Sequence, residues 1–139
     1  MGVPRVVADT NLWVAARFNP KSYSASILNM AGEGRLLLLW SSETRRELER
    51  ILRNIKATLD FLIAVERLLS SGVDVGETER LSIIVDDPDD NKILACARSG
   101  NADYIITSDY HLLTLKTFGE VKIVTPKVFL ESIHKKEVR

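Results

Sequence analysis

One cysteine, two histidines and no glutamine occur among the 139 residues, and each scarcity closes off a class of protein. Cys96 has no partner for an internal disulfide, and its apolar setting, Ile93-Leu94-Ala95-Cys96-Ala97, marks it as a small buried hydrophobe rather than a nucleophile. His111 and His134 cannot supply a zinc site with the usual Cys/His spacing, so zinc is not the expected cofactor. Neither sign of charge is in excess. The 19 Lys and Arg balance 19 Asp and Glu, so no global positive field draws nucleic acid, and any such contact must come from local patches. The longest apolar runs, such as Leu36 to Trp40, fall far short of the about 20 residues of a bilayer helix, and no membrane span is expected. The chain passes from Met1-Gly2 into Val6-Val7-Ala8 with no charged leader, long apolar stretch or small-residue cleavage site, and a cytoplasmic location is expected. No Gly-x-Gly-x-x-Gly follows the first apolar stretch, which excludes a dinucleotide-binding domain. Missing glutamine beside plentiful charge fits a thermophilic source.

What is present is a chain of 45% hydrophobic and 27% charged residues, the balance of one compact domain spanning residues 1–139. Val3 to Ala8 reads as a strand ending in a turn at Asp9-Thr10-Asn11, and Tyr23 to Ala31 as a helix closed by Gly32. Leu36 to Trp40 is continuously apolar, as in a strand buried on both faces of a parallel sheet. Ser41 or Ser42 then caps a helix whose Leu48, Ile51, Leu52 and Ile55 form one apolar stripe, with Arg46, Arg50 and Arg53 turned to solvent. A second helix from about Thr58 to Ser70, including Phe61 to Leu69, carries more apolar surface than one stripe needs, which suits a partner subunit. Leu81 to Val85 is a short apolar run. Asp87-Pro88-Asp89-Asp90 opens a helix reaching about Ser99. Tyr104 to Thr107 and Val121 to Val124 read as further strands, and Thr125-Pro126 starts a terminal helix. Strands alternating with helices predict an α/β fold around a mainly parallel sheet.

Ligands of such sheets gather beyond the carboxyl ends of the strands, where Asp9 and Asp109 fall. Asp90, in the first turn of the helix before the Tyr104 strand, reaches the same edge, and Glu47 borders the apolar stripe of its helix closely enough to lean over it. Four carboxylates in one cleft repel by about 4 kcal/mol per pair at about 4 Å in an effective dielectric near 20. Either some remain protonated or a hard divalent cation holds them ionised. Oxygen ligation suits Mg²⁺ or Mn²⁺, and such a site supports phosphodiester hydrolysis. Singly, each residue also has a structural role: Asp9 as a turn residue, Asp90 at a helix N-terminus, Asp109 as the cap of Tyr110-His111-Leu112, and Glu47 as a solvated helix acid. Asp86, Asp87 and Asp89 read as caps and turns, with Asp87 the alternative to Asp90 as a ligand.

Val7-Ala8-Asp9-Thr10-Asn11, Ser42 to Leu52 with Glu47-Leu48, Asp87 to Ala95, Ala102 to Asp109, and Thr125-Pro126 with Phe129 together resemble a PIN domain, in order and over nearly the whole chain. The resemblance implies a three-layer α/β/α sandwich and a metal-dependent nuclease, usually acting on RNA, with 5′-phosphate and 3′-hydroxyl products. It puts Asp9, Glu47, Asp90 and Asp109 at the family's acidic quartet, holding Mg²⁺ or Mn²⁺, with Thr10, Asn11 and Thr107 as polar supports. The likeness is to the toxin-like branch of small stand-alone members, which commonly form homodimers and are neutralised by a small antitoxin protein. Two other classes compete. A phosphoryl-accepting Asp9 lacks the second aspartate two residues on, and a non-catalytic module would bind RNA or a protein partner around a structural cation. Arg5, Arg17, Lys21, Arg45, Lys92, Arg98 and Lys116 are the candidate phosphate contacts.

Overall fold

The computed structural model describes residues 2–84 and 88–138, so Val85, Asp86 and Asp87 lie outside the described residues. Six strands form one sheet: β1 (Arg5–Ala8), β2 (Leu37–Trp40), β3 (Val73–Asp74), β4 (Tyr104–Ile106), β5 (Thr117–Phe118) and β6 (Val121–Val124). Their spatial order is β3-β2-β1-β4-β6-β5, and among the described residues only the β5–β6 pair is antiparallel. Val6 is in register with Leu38 on one side and Tyr104 on the other. Alternation then divides the apolar strand residues between two cores. Val6, Leu38, Tyr104 and Ile106 pack on one face, while Val7, Leu39, Ile105 and Ile123 pack on the other.

The first core is covered by α1 (Thr10–Phe18), α2 (Tyr23–Gly32), α3 (Ser42–Asn54), α4 (Leu59–Ser71) and α7 (Pro126–Val138). The second is covered by α5 (Pro88–Ser99) and the single turn α6 (Tyr110–Leu113). The result is the three-layer α/β/α sandwich around a mainly parallel sheet. Cys96 is fully buried in the second core, and burial pushes its thiol up to about 12, which leaves it inert as a nucleophile. Ser41, rather than Ser42, caps α3: its hydroxyl accepts from the Thr44 amide, and the Thr44 hydroxyl accepts from the Ser41 amide.

Three elements depart from the sequence expectation. The stretch after Asp9 is not a turn but the helix α1, whose Leu12, Trp13 and Ala16 pack into the first core. Asp9 is its N-cap, accepting from the Asn11 amide. Strands β3 and β5 have two residues each, too short for any alternation to show. Gly72 lets β3 dock, because a Cβ there would collide with the backbone carbonyl of Leu38. Gly119, at φ +61°, makes the tight connection between β5 and β6. On α4 only Val65 and Leu69 are buried, and Leu59, Leu62 and Ile63 stand on its exposed side. Among the described residues no helix is long and apolar enough to cross a membrane.

Candidate active site

The chain leaves β1 for β2 on one side, and β4 lies on the other, so the order of the sheet reverses between β1 and β4. A crevice opens beyond the carboxyl ends of strands at such a point. Asp9 follows β1 directly, and its amide donates to the carbonyl of Ile106 at 3.0 Å, which ties it to the end of β4. Its carboxyl is buried. Oδ2 accepts from the Thr107 hydroxyl at 2.5 Å, and the same hydroxyl oxygen accepts from the Asp109 amide at 2.9 Å. One buried threonine therefore fixes the first and last acids relative to each other. Asp109 in turn caps α6, accepting from the His111 amide at 2.7 Å. Burial raises the Asp9 pKa above its ordinary 3.8, against the lowering effect of the Thr107 hydrogen bond, and the nearby charge of Asp109 adds to the rise.

Asp90 enters from the first turn of α5, also buried, and Glu47 from the second turn of α3. Asp9, Glu47, Asp90 and Asp109 all line one cleft of about 100 Å³, with Asp89 as a fifth carboxylate at its edge. Thr10 and Asn11 line it too, whereas Thr107 acts beneath it through Asp9. Asn11 holds Asp9 through its backbone amide at 3.4 Å rather than through its side chain. Sequence reasoning placed Arg50 on a solvent face. It is exposed, yet its guanidinium donates to Glu47 Oε2 at 2.6 Å and lies 3.8 Å from Asp89, so it stands on the rim of the cleft. Lys92 reaches Asp89 at 2.8 Å on the same rim.

Several of the candidate phosphate contacts are engaged elsewhere. Arg5 donates to the Gly100 carbonyl, Arg45 bridges Glu49 and Glu66, Arg17 lies over Phe18, and Arg98 stacks over Phe118. Two residues of the site region escaped sequence reasoning. Asn91, buried beside Asp90, accepts from the amides of Ile83 and Ile84 at 3.0 and 2.8 Å and donates to the Ile84 carbonyl at 2.7 Å, pinning the approach to α5. His111 presents Nδ1 at 3.4 Å from Asp109 Oδ1, and ligand atoms of Asp90, Asp109 and His111 all lie within 4.8 Å of one another. The donor set fits a hard divalent ion: carboxylates from four elements converge, and ionised Asp9 is disfavoured until a cation compensates it.

The family model described as PIN domain matches residues 5–111, well over half of the chain and all four converging acids. The chain belongs to the PIN domain family. PIN domains are generally metal-dependent nucleases. This PIN domain is 28% identical over 148 aligned residues to the uncharacterized protein MJ1680 of Methanocaldococcus jannaschii, covering 94% of this chain and 92% of that one. Its fold is similar to VapBC2 from Rickettsia felis bound to a promoter DNA fragment, with a TM-score of 0.58, 16% identity, and 86% of this chain and 96% of that one covered. PAE2754 from Pyrobaculum aerophilum is similar at a TM-score of 0.54 and 16% identity, covering 93% and 88%. At these identities the two structures speak for the PIN fold alone.

Proposed function

We propose that this PIN domain is a metal-dependent endoribonuclease using Mg²⁺ or Mn²⁺, and that it is the toxin of a toxin–antitoxin pair. The observation that carries the reading is the convergence of Asp9, Glu47, Asp90 and Asp109 on one cleft at the switch point of the sheet. A divalent ion bound there supplies Lewis acidity to a scissile phosphate and to the attacking water. Asp9 and Asp109 serve as its ligands, their separation held by Thr107. Asp90 completes the ligand set or orients the water. Glu47, on the outer wall, acts as a further ligand or as the base that receives the proton of that water. Arg50 and Lys92 on the rim are positioned to meet a phosphate backbone.

The toxin reading follows the sequence resemblance to small stand-alone PIN proteins, and it implies a cytoplasmic protein with a small antitoxin partner. The exposed Leu59, Leu62 and Ile63 of α4 provide an apolar face suited to a homodimer. The test is cleavage of labelled single-stranded RNA, structured RNA and DNA with Mg²⁺, Mn²⁺ or EDTA. RNA is expected to be cut only with metal, and Asp9→Asn to lower the rate at least about 10²-fold. Cleavage that survives EDTA, or a fully active Asp9→Asn variant, rejects the reading. Metal-independent retention of RNA without cleavage would favour a binding module.

A further inference from the structure

We infer that His111 is a nitrogen ligand of the ion in this cleft, making the site a mixed oxygen and nitrogen one that prefers transition-metal ions to Mg²⁺. The inference rests on the metal-binding reading of the acidic cleft and extends it to a residue outside the acidic quartet. Three observations carry it. The His111 backbone is fixed to the site, because its amide donates to Asp109 Oδ1 at 2.7 Å. Its ring nitrogen Nδ1 lies 3.4 Å from that same carboxylate oxygen, and no other hydrogen-bond partner occupies the ring among the described residues. Asp90, from a different element, joins them in a group in which one ligand atom from each of Asp90, Asp109 and His111 lies within 4.8 Å of the others.

Those separations are close to the ones an ion requires. With bonds of about 2.1 Å, octahedral ligands stand about 3.0 Å apart when adjacent and about 4.2 Å apart when opposite. The imidazole is 47% exposed and the Asp109 carboxylate 20%, so small side-chain rotations close the remaining gap without repacking a core. A hydrogen-bonded Asp–His surface pair alone needs no third donor. Here Asp90 is buried on α5 and lines the same cleft as Asp109, with a ligand atom within 4.8 Å of one on His111. Nitrogen ligation has a chemical consequence: Mg²⁺ is satisfied by oxygen and water, whereas an imidazole raises affinity along the first transition row.

The experiment loads the full chain with Mn²⁺ alone and records pulsed electron paramagnetic resonance, alongside calorimetric titrations with Mn²⁺ and with Mg²⁺. Wild-type protein is expected to show ¹⁴N modulation from one imidazole, retained in His134→Phe and absent in His111→Phe and His111→Gln. The preference for Mn²⁺ over Mg²⁺ is expected to fall by at least about tenfold in both His111 variants, the scale on which loss of even an outer partner acts. If Mn²⁺ binds and Asp90→Asn weakens it, yet no ¹⁴N modulation appears and the preference is unmoved in the His111 variants, the His111 assignment is wrong while the acidic metal site stands. If Mn²⁺ does not bind at all, the metal-binding reading fails and takes this inference with it.

Discussion

Burial holds the Asp9 carboxyl above its ordinary pKa, so its proton is bound more tightly in the folded chain than in the unfolded one. The stability linked to this group is fully present below pH 3.8, the ordinary value, and is lost as pH rises through the native value. At any pH where Asp9 is ionised, the metal-free protein carries a destabilising charge that a bound cation would offset. Asp9→Asn removes the charge while retaining an oxygen for the Thr107 hydroxyl. In EDTA at pH 7 the variant is expected to melt about 2–4 °C above wild type, roughly the effect of 1 kcal/mol in a chain of this size. Mn²⁺ is expected to raise the wild-type melting temperature by mass action and to leave the variant unmoved. Thermal melts at pH 3 and pH 7 check this; a variant less stable than wild type in EDTA at pH 7 contradicts it. The place of Asp9 and Asp109 at the sheet edge was legible in the sequence because each comes just after an apolar strand run, Val6-Val7-Ala8 and Ile105-Ile106-Thr107. Asn91 and His111 were not, because nothing local distinguishes them: Asn91 answers to backbone groups seven and eight residues upstream, and His111 meets Asp90 only once α5 and α6 pack on the same face.

Elements with three or more residues in the sheet, or with two turns of apolar stripe, could be read from periodicity, and the α3 cap could be read from its serines. What could not be read depends on close approach. β3 pairs with β2 through only two residues, and its position rests on Gly72, whose Cα lies against the Leu38 carbonyl. Gly72→Ala is therefore expected to destabilise the fold by about 1–3 kcal/mol, the usual range for overpacking, by prising β3 from the sheet edge. Chemical denaturation measures the loss, and hydrogen exchange at Val75, whose amide donates to the Trp40 carbonyl, locates it. Gly34→Ala is not an equivalent control, since that residue sits at φ +75° and would report backbone strain. Gly32, whose added Cβ meets only the Leu68 side chain at 3.7 Å, is the proper one. Helix α1 was hidden for a different reason. Its buried set, Leu12, Trp13 and Ala16, spans little more than one turn, and the capping Asp9 that starts it also serves the site.

Across the whole molecule, positive and negative charges balance, so any attraction to RNA would have to arise where cations stand beside the cleft rather than from a general field. Alternating strands and helices made the layered architecture legible in the sequence. The distribution of cations was not, because it depends on which arginines the packing engages elsewhere. Arg5 and Arg45 are committed to Gly100 and to Glu49 and Glu66, whereas Arg50 reaches the rim through Glu47. In the proposed site, an ion that engaged Glu47 would release the Arg50 guanidinium from its ion pair and make it available to a phosphate. With Asp9 intact and Mn²⁺ present, fluorescence anisotropy with a labelled single-stranded RNA carrying cleavage-resistant linkages should give a shallow salt dependence. Adding Arg50→Ala is expected to weaken binding and reduce the slope of log affinity against log salt by about 0.7, the contribution of one phosphate contact on a single strand. Lys122→Ala lies at the opposite end of the sheet, in register with Tyr104 at the start of β4, and should leave both quantities unchanged. An unchanged slope in the Arg50 variant, or an equal loss in the Lys122 variant, would show that RNA does not approach across the acidic cleft.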